Sequence, residues 1–373
     1  MIAARPGPSR RQLVSAGLGL LVTGCGAPFK GDDEHLPTDL ASAGGIDRLI
    51  ARARAEGQLL IYGSPSQDKF ARWTKLFERR FGIPVKYYRS PSNAVYQRLV
   101  QEQHAGRKLA DILSISDLNV IADGAKKRMI ARYTPQTARR FPTTARLDAI
   151  AYPLFVTLTA VAWNTRLVPP DLQRHLSADP LAALLDPRLK GKLVTVDVTA
   201  GGPQLATNAN LAVNLAGRYG WPYLERVAGQ EPVLVRTGPV VLDGVTAGDY
   251  WATLDGYDSL FGPQAVAGAP VAFRYPDPVA ASPFYLSVVN HAPHPYAARL
   301  FSEWATSQEA QHSLAVITNS QVLIDGFDDD RPVARLPWYR APQHLYLAWQ
   351  YDAKLRNEDL RDFYRRWHTV FEK

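Results

Sequence analysis

Six hydroxyl residues stand where the chain passes from an apolar run to an amphipathic one: Ser64, Ser66, Ser92, Ser116, Thr199 and Thr237. Hydroxyls at helix N-termini, beside unpaired amides and the positive end of the helix dipole, make a setting for an anion. Arg236, next to Thr237, adds a fork of donors that fits phosphate or carboxylate. The Thr199-Ala200-Gly201-Gly202 turn brings Gly201 and its backbone to the same kind of position. Each hydroxyl has a plainer role open to it as the cap of its own helix, and Arg236 has one as a solvent-facing side chain. Tyr257 and Tyr285 can either line a cleft or pack inside a lobe.

The elements that would hold these residues repeat. Leu59-Leu60-Ile61-Tyr62 is a short buried strand, Gly63-Ser64-Pro65-Ser66 a turn, and Phe70, Trp73, Leu76, Phe77 and Phe81 the apolar face of a helix. Pro84 to Tyr88, Arg89-Ser90-Pro91-Ser92 and Val95, Leu99, Val100 form a second copy. In both, proline is expected at the first helical position, behind a serine cap. A third strand, Asp111 to Ser116, again ends in Ser114, Ser116 and Asp117. Strands each followed by a helix imply a parallel sheet, with ligands outside the strands' carboxyl ends.

Phe155 to Trp163 is the longest strand pattern and is long enough to pass from one lobe to another. A second α/β pattern follows: strands at 193–198, 232–236 and 250–254 end in Thr199-Ala200-Gly201-Gly202, Thr237-Gly238-Pro239 and Asp255-Gly256-Tyr257-Asp258. Phe284 to Val289 is expected to return the chain to the first lobe. Two lobes facing each other across a double crossover form a cleft that closes on a small molecule by hinge motion.

Composition excludes several classes. Residues 1–25 have the pattern of an export signal: Arg10-Arg11 precedes a short apolar core, and Val22-Thr23-Gly24-Cys25 has the form of a lipobox. Cys25, the only cysteine, would be the lipidated residue, and intrachain disulfides and CxxC sites are excluded. Cleavage before Cys25 removes Arg5, Arg10 and Arg11 and no acid, which lowers the formal net charge from +8 to +5. No basic block or aromatic-basic stripe marks a nucleic-acid surface. No later apolar run is long enough to span a bilayer. GxSxG, HExxH and GxxxxGK[ST] are absent. His291-Ala292-Pro293-His294 is expected to be structural, and Asp328-Asp329-Asp330 a solvated surface run.

Five stretches, in order, carry a resemblance: Glu56 to Tyr62, Leu109 to Leu113, Asp186 to Lys192, Ala247 to Tyr250 and Ala292 to Phe301. With the lipobox before them, the chain resembles bacterial extracellular solute-binding proteins of ABC importers, over about Gly57 to Phe371. The resemblance is to the branch of ferric-iron and phosphonate or organophosphate binders. It implies an α/β, two-lobe type II periplasmic-binding-protein fold, with two mixed sheets joined by a two-strand hinge and the ligand cleft between lobes. The expected division is signal 1–25, linker 26–45, first lobe 46–160 with 280–373, and second lobe 161–279. The resemblance implies a monomer, without catalysis or cofactor, that delivers its solute to a membrane permease and ATPase; the lipid is its one tie to the membrane. The same body would also suit a sensor that presents its closed form to a membrane receptor. Ferric binders hold the metal through adjacent tyrosines of the second lobe, with a histidine and an acid from the first. Here that pair falls on Tyr257-Asp258, no histidine lies near Pro65-Ser66, and Asp117 is the nearest acid. Iron would therefore rest on Tyr257, Asp258 and Asp117, whereas the missing histidine and the hydroxyl turns favour an anion.

Overall fold

The structure, a computed structural model, describes residues 36–200, 202–347 and 360–372. The signal, Cys25 and Gly201 lie outside the described residues.

The first repeat folds as its pattern predicts. β1 (Leu59–Gly63) leads into α2 (Gln67–Phe81), after α1 (Ile46–Glu56). α2 buries Phe70, Trp73, Phe77 and Phe81, and Trp73 lies 4.7 Å from Trp304 and Phe77 5.1 Å from Phe301 between ring centroids. Phe301 and Trp304 belong to α11 (Pro295–Ala305), which closes that face of the first lobe. β2 (Val85–Arg89) is followed by α3 (Ser92–His104), and β3 (Ile112–Ile115) by α4 (Leu118–Lys126). β1 pairs in parallel with both β2 and β3. The prolines sit earlier than expected, Pro91 by one step and Pro65 by two. Pro91 is itself the N-cap of α3, and Pro65 precedes the N-cap Ser66. Pro91, at φ −53° and ψ 148°, is extended rather than helical, a conformation the ring's fixed φ permits equally well.

β4 (Tyr152–Asn164) runs three residues further back than its alternation suggests. Its residues 152–158 pair with β9 (Val279–Val288), and 159–164 pair with β7 (Ala252–Tyr257) and β8 (Val271–Arg274). β5 (Leu193–Val196) lies parallel to β7 and to β6 (Val233–Val235). The strands run in the order β2-β1-β3-β9-β4-β7-β5-β6, with β10 (Leu345–Leu347) on β9. This is the two-lobed mixed α/β architecture, with β4 and β9 crossing between the sheets.

Three expectations change. The end of the supposed linker is packed: Arg299 Nε donates to Pro37 O at 2.6 Å, Thr134 N donates to Thr38 O at 2.8 Å, and Ala43 is buried. A buried guanidinium needs acceptors, and this segment supplies one. β7 extends to Tyr257, so Asp255 and Gly256 are strand residues rather than a turn. The last described helix, α13 (Leu360–Phe371), packs on the second lobe, whereas the division expected from sequence puts residues 280–373 with the first. Trp367 Nε1 donates to Asn208 Oδ1 at 2.9 Å, and Phe363 lies 5.1 Å from Trp221. Phe363, Trp367, Val370 and Phe371 form one apolar stripe that joins the core around Trp163 and Leu224.

Candidate functional site

The strand directions settle where the turns point. β3 is antiparallel to β9 and β9 to β4, so β1, β2 and β3 share the direction of β4, toward the second sheet. β7 is antiparallel to β4, and β5 and β6 follow β7, so these three run back toward the first sheet. All six carboxyl ends therefore face one another. Ile115 is level with Tyr285 and Tyr285 with Pro153, while Tyr257 is level with Thr159. From Pro153 to Thr159 along β4 is a gap of at most about 20 Å, the scale of a small-molecule cleft.

On the first lobe, three hydroxyls from three separate turns meet. Ser92 Oγ donates to Ser64 Oγ at 2.9 Å, lies 3.3 Å from Ser116 Oγ and accepts from Ser116 N at 3.4 Å. Gly63 makes the approach possible: a Cβ there would lie 2.9 Å from Ser114 O and 3.0 Å from the Tyr87 ring. The capping alternative does not account for the row. Ser66 is the N-cap of α2 but its side chain makes no capping bond, Ser92 lies inside α3, and α4 is capped by Asp117 instead. Ser66 is exposed on the rim. Asp117 accepts from Asn119 N at 3.0 Å and Val120 N at 3.1 Å. Its Oδ1 is thus committed to α4.

The second lobe divides its predicted residues between two places. Thr199 and Arg236 flank Asp197, just past the end of β5, and Thr237 follows Arg236 in the chain. Thr199 N and Oγ1 donate to Asp197 Oδ1 at 2.8 and 2.5 Å, and Arg236 Nη1 lies 3.9 Å from Oδ2. The Arg236 side chain is 84% exposed. Thr237 is the N-cap of α9 (Gly238–Ala247), again without a side-chain cap, and is exposed. Burial works against ionisation of Asp197, but the Thr199 bonds outweigh it and hold the carboxyl below its ordinary range. Tyr257 is elsewhere: its hydroxyl donates at 2.8 Å to Oε1 of Gln204, a buried residue of α7 (Gly202–Ala209). Burial pushes this phenol up to about 12, with Gln204 acting in the opposite sense. A Cβ at Gly238 would lie 2.7 Å from the Tyr257 ring, so that glycine leaves the ring its place.

Asp258 and Tyr285 are not cleft groups. Asp258 is fully buried: Tyr275 donates to Oδ2 at 2.9 Å, Ser259 N donates to Oδ1 at 2.7 Å, and Arg331 Nη1 lies 3.5 Å away. Burial raises its pKa despite Arg331. Arg331, with no exposed side-chain surface, grips Asp329 through Nε at 2.7 Å and Nη2 at 2.8 Å and donates to Tyr339 at 2.7 Å. Asp329 is therefore no solvated surface residue. Its Arg331 bonds outweigh burial and hold its carboxyl low. Tyr285 is 1% exposed in the core with Leu113 and Ile130, because β9 alternation turns it inward.

Sequence reasoning missed Lys69, in the first turn of α2. Its ammonium donates to Thr318 O at 3.0 Å, and burial lowers its pKa while the Asp258 charge acts the other way. His294 is structural as expected: it bonds Asp111 through both backbone N (2.8 Å) and ring Nδ1 (2.9 Å).

The family described as bacterial extracellular solute-binding protein matches residues 60–312. No curated protein sequence matches the chain. Solved structures share the fold. The substrate-binding protein of an ABC transporter from Agrobacterium tumefaciens superposes with a TM-score of 0.65 at 16% identity, covering 86% of this chain and 97% of that one. AfuA of Actinobacillus pleuropneumoniae, with fructose-6-phosphate bound, gives 0.62 at 16% identity, covering 85% and 99%. A Trichodesmium FutA-type protein in complex with iron and citrate gives 0.65 at 17% identity, covering 85% and 100%. Family match, two-lobed fold and facing rows of strand ends agree: the chain belongs to the bacterial extracellular solute-binding proteins, the solute-capturing partners of ABC permeases.

Proposed function

We propose that this chain captures a small anionic solute, bearing phosphate, phosphonate or carboxylate, in the interlobe cleft, closes on it by hinge motion and delivers it to a membrane permease. The observation that carries this reading is the meeting of Ser64, Ser92 and Ser116 at the N-terminal ends of α2, α3 and α4. These hydroxyls bond one another rather than cap their helices, and three helix dipoles add positive potential. Arg236, exposed at the end of β6, supplies the countercharge from the other lobe. The fold houses a phosphate ester in AfuA and iron with citrate in the FutA-type protein. Of the three residues on which iron would rest, Asp258 is locked to Arg331, Asp117 caps α4, and the Tyr257 phenol stays protonated at neutral pH.

Thermal-shift screening against phosphate esters, phosphonates, carboxylates, sugars, polyamines and Fe³⁺ tests the solute class. An anion at 100 times its Kd adds about 2.7 kcal/mol to stability. Stabilisation by Fe³⁺ alone, with a tyrosinate-to-iron absorption band, would overturn the anion reading. A permease and an ATPase encoded beside this chain support import over sensing.

The chain acts as a monomer, and Cys25 anchors it after export. Among the described residues, no helix is long and apolar enough to cross a membrane. Cys25→Ser should release the protein from membranes, and a variant that stays bound would sink the anchor.

A further inference from the structure

Away from the serine row, the end of β5 meets α13 through three side chains that can each bind a metal. His368 Nε2 lies 3.6 Å from Asp197 Oδ1, and His368 Nδ1 lies 3.7 Å from Glu372 Oε1. Taking one ligand atom from each residue, all three lie within 4.8 Å of one another. His368 and Glu372 are four residues apart on α13 and so share a face.

The imidazole is placed in a way that packing alone does not explain. Nε2 is shielded from solvent and has no hydrogen-bond partner. Its distance of 3.6 Å from the carboxylate is too long for a hydrogen bond. It is close to the about 3.4 Å that separates two ligand atoms of a tetrahedral zinc, given bonds of 2.0–2.2 Å. Asp197 is buried and already oriented, with Thr199 N and Oγ1 donating to Oδ1 at 2.8 and 2.5 Å. Outer partners of this kind orient a ligating carboxylate. Glu372, 55% exposed, is free to turn toward the ion. Arg236 faces the other Asp197 oxygen at 3.9 Å and, being 84% exposed, can move aside. Of the basic residues just before it on α13, Arg366 lies over the Trp221 ring at 4.3 Å and Arg365 is paired with Asp362 at 2.9 Å. One imidazole and two carboxylates, with a position left for water, suit a borderline divalent ion of the zinc type better than the hard ions Mg²⁺ or Ca²⁺.

We infer that Asp197, His368 and Glu372 form a site for a borderline divalent cation such as Zn²⁺, which clasps α13 to the β5 turn of the second lobe. The site uses neither Tyr257 nor the serine row, and it borders the proposed anion site only through Arg236, 3.9 Å from Asp197.

The test is titration of the purified, metal-stripped chain with Zn²⁺ by calorimetry and with Co²⁺ by visible absorption. One equivalent should bind, Co²⁺ should show the intense d–d bands of a four-coordinate site, and Mg²⁺ should not compete. His368→Gln and Glu372→Gln should each weaken binding by at least about tenfold, with unchanged circular dichroism. Glu372 is exposed, so its variant will fold. Tyr257→Phe should bind as the parent does. Three results would each overturn the assignment: no saturable binding at tens of micromolar Zn²⁺, parent-like binding by both Gln variants, or loss of binding in Tyr257→Phe.

Discussion

Ser92 sits in the middle of the hydroxyl row, and its removal should be felt by a ligand before it is felt by the fold. Its Oγ touches Ser64 and Ser116, and it caps no helix. Ser92→Ala should weaken anion binding by about fivefold, the worth of one hydrogen bond of about 1 kcal/mol. Arg236→Ala should abolish it and leave the melting temperature of the empty protein nearly unchanged, since the side chain is 84% exposed. Calorimetric titration of either variant reads the effect, and parent-like affinity removes that residue from the site. These residues were legible because strand, turn and helix follow one another in a fixed order, and the order alone places the turn at a sheet edge. Asp258 was not legible in the same way. Nothing near it in sequence announces Arg331, and only the folded chain brings a buried guanidinium beside it. The same holds for Asp329, whose two acidic neighbours suggested a wet surface.

At the scale of elements, α1, β3 and α11 are fastened at a single point. Glu56, at the end of α1, accepts from Tyr296 N at 3.0 Å and Ala297 N at 2.7 Å, and so closes the first turn of α11. Burial pushes its carboxyl up to about 7, and the Asp111 hydrogen bond raises His294 above its ordinary value. Both groups hold protons more tightly folded than unfolded. Their contribution is therefore full below their unfolded pKa values and is lost as pH rises through the folded ones. Urea midpoints should fall as pH climbs from about 5 through 7 and on through the raised His294 value. Glu56→Gln should flatten the lower part of that fall, and an unchanged profile would show that Glu56 does not titrate there. A second fastening lies where residues 319–339 meet the end of β7. Arg331→Met would leave Asp258 and Asp329 buried without their cation, a loss of about 3–5 kcal/mol in urea unfolding. A loss below about 1 kcal/mol, the range of exposed pairs, would show that the network holds little. Which lobe α13 packs against was not legible, because an amphipathic stripe states that a helix has a buried face but not which face it meets.

For the whole molecule, small-angle scattering should show a smaller radius of gyration when the right solute is added, with no change in mass. An unchanged radius at saturation would remove hinge closure. The crossover also sets what kind of motion this is. Where β4 and β9 pass between the sheets, β10 lies against β9 at residues 279–281, beside the Leu158–Ala281 pair of β4 and β9. The joint is thus a ribbon three strands across, two spacings or about 10 Å wide. Two strands alone form something close to a universal joint, able to bend and to rotate. A wider ribbon still flexes about a line drawn across it but resists turning in its own plane. Closure as proposed would then have one easy degree of freedom, a door swing that returns the opposed rows of strand ends to the same register.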